Sequence, residues 1–185
     1  MPMPDLEKVK IDRGRLVTDV KGPTKRFDLS EPVSPRPPIG SGAITWYTGD
    51  EHNEWGHISE DPINRVRMYN KRMSKLELMD SEIPPEERAV LYGDEDADFL
   101  LVGWGFVKGV ALDALEDLRA SGLKGAYLHL RVFSPFPSAY VKSIISRFDL
   151  ERVIDVEHNY LGQAARLVEM NTGIEIKKYV LKYSG

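Results

Sequence analysis

The pattern of apolar and polar positions changes character near residue 97. From there on, short apolar runs alternate with amphipathic stretches. Asp98-Phe99-Leu100-Leu101-Val102-Gly103 has the length and continuity of a buried strand. Val107 to Ala120 follows, with Val110, Ala111, Ala114, Leu115 and Leu118 at helical spacing and Gly122 as the terminating residue. Ala126 to Val132 reads as a second strand, Ser138 to Phe148 as a helix after Pro135 and Pro137, and Arg152 to Glu157 as a third strand. A helix from about Gly162 to Met170, ended by Thr172-Gly173, and a strand from Ile176 to Leu181 complete the series. Repeated strand–helix–strand units with short connections predict an α/β fold, a three-layer parallel sheet with helices on both faces.

Upstream the pattern is different. Asp61-Pro62 is a helix start, with Asp as N-cap and Pro at the first helical position. The predicted helix runs to about Met79 with a modest apolar stripe of Ile63, Val66, Met68, Met73 and Leu76. Its cations, Arg65, Arg67, Lys71, Arg72 and Lys75, suit either a phosphate-binding surface or a solvated, salt-bridged face. Glu77, Asp80 and Glu82 beside them favour the second reading. Before this helix, Pro23, Pro32, Pro35, Pro37 and Pro38 fall within sixteen positions, which excludes a helix. Phe27, Ile44, Trp46, Tyr47, Trp55 and Ile58 nevertheless call for burial, and Ile44 to Thr48 suits a short strand. The expected organisation is an extended Pro/Gly-rich arm over 1–60, a helix and connection over 61–96, and an α/β domain over 97–185.

Composition narrows the function. A net charge of −4 and a pI near 5.6 give no general attraction for nucleic acid or anionic membrane. No apolar run approaches the roughly 18 residues of a spanning helix. The initial Met-Pro-Met-Pro-Asp has neither a basic leader nor an apolar signal core, so the expected location is cytoplasmic. With no cysteine, the chain lacks disulfides, a thiolate-held iron–sulfur cluster and a cysteine nucleophile. Any electron carrier of that kind sits on another chain.

Three segments hold candidate chemistry. Gly103-Trp104-Gly105-Phe106-Val107-Lys108-Gly109 lies where a dinucleotide fingerprint would lie, between a strand and its helix. The spacing is G-x-G-x-x-x-G, Trp104 is bulky, and Arg131 stands near where an acidic ribose ligand is expected, so tight-turn packing is favoured. Asp50 to His57 concentrates His52 and His57 with Asp50, Glu51 and Glu54 around Trp55, and two histidines with three acids are metal-ligand material, here without a metal-site spacing. A structural loop is favoured there over a metal site or a substrate or interface contact. Glu157, His158, Asn159 and Gln163 follow the third strand, at the carboxyl end of the sheet where open α/β folds bind ligands. Helix capping or a subunit contact is favoured over a ligand. His129, in mid-strand, reads as a satisfied core histidine. No P-loop, nucleophile elbow or Ser/His/Asp set is present.

Several stretches occur together in one family. They are Ile11-Asp12-Arg13-Gly14, Val33-Ser34-Pro35-Arg36, Tyr47-Thr48-Gly49-Asp50-Glu51-His52-Asn53-Glu54 and Glu60-Asp61-Pro62-Ile63-Asn64-Arg65. Lys71-Arg72, Leu91-Tyr92-Gly93-Asp94, Val102-Gly103-Trp104-Gly105, Arg131-Val132-Phe133-Ser134-Pro135-Phe136-Pro137 and Val156-Glu157-His158-Asn159 continue the series. In this combination the chain resembles the C-terminal part of the α subunit of archaeal 2-oxoacid:ferredoxin oxidoreductases. The resemblance implies a transketolase C-terminal-like domain within an enzyme that converts a 2-oxoacid and coenzyme A to acyl-CoA, carbon dioxide and reduced ferredoxin. It implies thiamine diphosphate, magnesium and a [4Fe–4S] cluster in the complete enzyme, and as partners the remaining α-subunit domains, a β subunit and ferredoxin. The family's Tyr-Pro-Ile-Thr-Pro motif and a Gly-Asp-Gly metal motif are absent. No catalytic, cofactor-binding or metal residue is therefore assigned, and the expected role is structural. The rival readings are a stand-alone nucleotide- or coenzyme A-binding module using the Gly103–Gly109 turn, and a metal enzyme built on Glu51, His52, Glu54 and His57.

Overall fold

The computed structural model describes residues 7, 8, 12, 14–94 and 96–184. Of the 11–14 motif it covers Asp12, whose carboxylate accepts the Gly14 N–H at 2.7 Å, and Gly14 itself. The N-terminal Met-Pro-Met-Pro-Asp lies outside the described residues. The chain divides into two units, one ending at Leu78 and one beginning at Met79.

In the first unit, the prolines and glycines keep the backbone irregular. Strand β1 (Gly22–Pro23) pairs in parallel with β2 (Ala43–Ile44), shorter than the Ile44–Thr48 strand expected, and isolated bridges join Leu16 to Arg36 and His52 to Ile58. Helix α1 (Pro62–Glu82) starts as its sequence dictates: the Asp61 carboxylate accepts the Ile63 N–H at 2.9 Å. Its stripe does not form a core. Ile63, Val66 and Met73 are exposed, whereas Met68 and Lys71 are buried. The arm faces this helix with backbone carbonyls, and the Lys71 ammonium donates to those of Glu31 and Pro32.

The second unit holds the sheet. After α2 (Pro85–Arg88) come β3 (Ala89–Gly93), β4 (Phe99–Trp104), α3 (Val107–Ala120), β5 (Gly125–Leu130) and α4 (Ser138–Ile145). A 3₁₀ turn (Leu150–Arg152), β6 (Val153–Glu157), α5 (Gln163–Thr172) and β7 (Lys178–Leu181) follow. The strand order is β3-β5-β4-β6-β7. Four strands are parallel, as expected, but β3 pairs antiparallel with β5, so the sheet is mixed. The stretch read as a connection thus supplies an edge strand.

Alternation along the strands builds two cores. Leu100, Val102, Ala126, Leu128 and Val153 meet Val141, Ile144 and Ile145 of α4 and Ala164, Ala165 and Val168 of α5 on one face. Leu101 and Tyr127 meet Ala111 and Leu115 of α3 on the other. Helices therefore cover both faces. Val110, assigned to the buried face of α3, is exposed, because Val107, Ala111 and Leu115 form the contacting line.

The carboxyl end of the sheet and the arm loop

The strand order places a switch point at β4, whose sequence-adjacent partner β5 lies on one side and β6 on the other. A ligand crevice is expected between the carboxyl ends of β4 and β6. Here the chain closes it with its own side chains. Trp104, at the end of β4, donates its indole N–H to Glu157 Oε2 at 2.8 Å, and Asn159 Nδ2 donates to the same oxygen at 2.5 Å. Glu157 Oε1 accepts the backbone N–H groups of Ala164 at 2.7 Å and Ala165 at 3.3 Å, in the first turn of α5. Asn159 Oδ1 accepts from Leu161 and Gly162, which turns the backbone into the helix through Gly162 at φ +60°. The free N–H groups that make a helix N-terminus an anion site are thus met by a carboxylate only 1% exposed.

Asp155 lies two residues before Glu157 on the same strand, fully buried, and no donor reaches either of its oxygens. Burial, together with the hydrogen bond and negative charge of Glu157, pushes its carboxyl up to about 9. Burial also works to raise Glu157, but hydrogen bonds from Asp155, Trp104, Asn159 and Ala164 outweigh it and hold that carboxyl below its ordinary value. The two shifts, in opposite directions, leave Asp155 protonated beside an ionised Glu157 at neutral pH.

The two glycines beside this pair serve different ends, Gly103 close packing and Gly105 a turn. A Cβ at Gly103 would lie 2.6 Å from the Val156 carbonyl oxygen and 3.2 Å from the Tyr127 hydroxyl. Gly105 turns the chain at φ +62°, with open space around it. His158 is exposed against the Phe106 ring at 5.2 Å, and Gln163 is exposed at the first position of α5. His129 Nδ1 lies 3.0 Å from the Tyr127 hydroxyl, and burial, with the positive charges of Lys108 and Arg131, lowers its pKa. Sequence reasoning named Gly103 and Gly105 in one segment and Glu157 and Asn159 in another, and the fold sets the two at the carboxyl ends of the adjacent strands β4 and β6. That reasoning missed Trp104 as a partner and Asp155 altogether, although the alternation Val153, Asp155, Glu157 puts both acids on one face.

The second candidate cluster lies in the first unit, and its polar groups bind other parts of the arm and helix α1. Glu51 bonds Arg72 at 2.7 Å, which holds its carboxyl below the ordinary value. Glu54 bonds Lys25 at 3.2 Å and accepts the Leu29 N–H at 3.1 Å. His52 Nδ1 faces the Asn53 carbonyl at 3.0 Å while its ring lies against Phe27. Trp55 lies under the Lys25 ammonium, and His57 lies against Trp46. Among the described residues, no group of three or more His, Asp or Glu side chains is placed to hold a metal ion. The loop is a clasp.

The comparisons with known proteins agree with one another. Residues 97–184 match the model of the pyruvate:ferredoxin oxidoreductase core domain II. The chain is 55% identical over 186 residues to 2-oxoacid:ferredoxin oxidoreductase 1, subunit alpha, of Aeropyrum pernix, covering 100% of this chain and 29% of that one. It is 42% identical over 182 residues to the corresponding α subunit of Saccharolobus solfataricus, covering 97% and 28%. Among solved structures, the 2-oxoglutarate:ferredoxin oxidoreductase from Magnetococcus marinus, with 2-oxoglutarate, coenzyme A and succinyl-CoA bound, matches with a TM-score of 0.73. The identity is 27%, over 100% of this chain and 32% of that one. The chain therefore spans less than a third of the length of these relatives.

Proposed function

The chain belongs to the 2-oxoacid:ferredoxin oxidoreductase α-subunit family, and on that premise we propose that it is a structural and assembly part of such an enzyme. The complete enzyme would convert 2-oxoacids and coenzyme A to acyl-CoA and carbon dioxide and pass electrons to ferredoxin, in the cytoplasm. Thiamine diphosphate, magnesium and a [4Fe–4S] cluster would be held by other parts, because this chain's residues do not fit them. A thiolate-held cluster needs cysteines, and this sequence has none. A diphosphate would meet Glu157 where the first turn of α5 would otherwise receive it. That same closure disfavours a stand-alone nucleotide- or coenzyme A-binding module built on the Gly103–Gly109 turn.

One observation carries the assembly reading. The first unit leaves Ile39, Ile44, Trp46, Tyr47, Trp55 and Ile58 exposed. Isolated apolar residues on a surface are ordinary, but this density of aromatic and β-branched side chains in a Pro-rich arm is the composition of an interface core. The remaining α-subunit domains and the β subunit are the partners proposed for it. The test is co-purification of this chain with the rest of its α subunit expressed as a separate polypeptide. A stable complex that Trp46→Ala and Trp55→Ala each weaken by about tenfold or more is expected. Failure to form a complex at micromolar concentrations would overturn the reading.

A further inference from the structure

Helix α1 carries a second, unrelated feature. Arg67, Asn70, Lys71 and Ser74 recur at helical spacing, so they share one face of the helix. That face and Leu29, Ser30, Glu31 and Pro32 of the arm line a cavity of about 580 Å³ within the first unit, a volume in the range of small-molecule sites. Along the same row, Arg67, Lys71 and Lys75 place three cations four residues apart, an arrangement that repels itself. The helix's own acids do not relieve it. Asp80 is bound to Arg88, and among the described residues neither Glu77 nor Glu82 forms an ion pair.

The floor of the cavity is unusual. Lys71 is only 8% exposed, and its ammonium donates to the carbonyl oxygens of Glu31 and Pro32. Its two acceptors are neutral carbonyls; burial and the nearby Lys75 and Arg26 work to lower its pKa, and the charges of Asp28 and Glu31 offset part of that. Each of these acids also has another partner: Glu31, which lines the cavity, bonds Arg15 at 2.7 Å, and Asp28 accepts the Ser30 N–H at 2.7 Å. Arg67, on the rim, has no ion-pair partner among the described residues, and the Asn70 amide has no hydrogen-bond partner among them. A compact anion reaching the floor would complete the lysine's coordination, bridge it to Arg67 and relieve the row of like charges. Leu29 and Pro32 provide an apolar wall beside that position.

We propose that this cavity binds the phosphate end of a phosphorylated organic molecule, with Lys71 and Arg67 as the cations that hold it. A phosphate suits the site better than a carboxylate, because its three acceptor oxygens can meet the ammonium and the Arg67 guanidinium at once. The site is independent of the assembly role, so either can fail without the other. The experiment is isothermal titration calorimetry of the full chain with inorganic phosphate, inorganic pyrophosphate and ADP at low salt, repeated with Arg67→Glu and with Lys142→Glu. Lys142 is an exposed cation of the second unit, and its reversal changes the net charge by the same amount. Saturable binding of pyrophosphate and ADP is expected, weakened about tenfold or more by Arg67→Glu and unchanged by Lys142→Glu. ADP binding more tightly than pyrophosphate supports a ligand whose organic part lies on Leu29 and Pro32. Lack of saturable heat, equal weakening by both variants, or pyrophosphate binding at least as tightly as ADP would overturn the proposal. Arg67 is exposed, so its reversal leaves the fold intact, and circular dichroism of the variant confirms that before titration.

Discussion

Replacing Glu157 by Gln tests the closure of the carboxyl-end crevice most sharply. The substitution keeps the side chain's shape but leaves one oxygen where there were two. Besides its interaction with Asp155, Glu157 accepts four hydrogen bonds, two on each oxygen, from Ala164 and Ala165 and from Trp104 and Asn159. Whichever way the amide turns, its NH₂ faces two donors. Two bonds to a charged acceptor are lost, at about 1.5–3 kcal/mol each, and their donors stay buried. Relief of the strain with Asp155 returns part of this, leaving a net loss of about 2–4 kcal/mol. That is a large share of the roughly 5–15 kcal/mol of a typical domain. Urea unfolding followed by tryptophan fluorescence should therefore show the midpoint falling by about 1 M or more. Trp104→Phe removes one of the four bonds and should cost about half as much. The pair should be non-additive in a double-mutant cycle, because both act on the same oxygen. A Glu157→Gln loss below about 0.5 kcal/mol would refute the reasoning, since it would mean that the carboxylate does not organise the first turn of α5.

Other expectations follow from the same region. Asp155 has its carboxyl pushed up to about 9 in the folded chain, against about 3.9 when unfolded. The folded state therefore holds a proton that the unfolded state releases. Its contribution is complete below about pH 4 and is lost as pH rises toward 9, by up to about 1.4 kcal/mol per unit. Asp155→Asn, whose amide can still donate to Glu157, should flatten this slope and stabilise the chain at pH 8, as measured by urea midpoints across pH 5–9. Gly103→Ala, whose Cβ would lie 2.6 Å from a backbone oxygen, should cost about 1–3 kcal/mol through strand displacement. Gly105→Ala meets no atom within 4 Å and should cost about 1–2 kcal/mol through its φ alone. Comparison of the two melting curves separates steric from conformational cost. Trp55→Ala, at a residue 39% exposed, should lower the stability of the isolated chain by under about 1 kcal/mol while weakening capture of the remaining α subunit.

Most of the sheet was legible because its strands are continuous apolar runs separated by helices with one greasy face. The exception, β3, shows where the pattern fails. Ala89-Val90-Leu91-Tyr92-Gly93 follows Pro84-Pro85 and a charged turn, and its side chains divide between the two cores, with Leu91 against one and Tyr92 against the other. Its direction depends on a pairing with β5 some forty residues away, about which local spacing carries no information. The α1 stripe misled for a related reason. Its apolar spacing was real, but whether a stripe is buried depends on what the arm presents, and the arm presents carbonyls to Lys71. At the candidate sites, proximity in sequence was a fair guide at Glu157 and Asn159 and a poor one at the loop. Glu51 and Glu54 are matched by Arg72 and Lys25, 21 and 29 residues away, and no ligand-spacing rule anticipates those partners.

The central claim is that this chain contributes architecture to an oxidoreductase and holds none of its reaction centre. The most direct measurement is 2-oxoacid- and coenzyme A-dependent reduction of ferredoxin or a dye by the purified chain. It is run with thiamine diphosphate and magnesium, before and after addition of the remaining α-subunit polypeptide and the β subunit. The account predicts no turnover by the chain alone and turnover in the complete mixture that falls when this chain is omitted or carries Trp55→Ala. Turnover by the chain alone would contradict it.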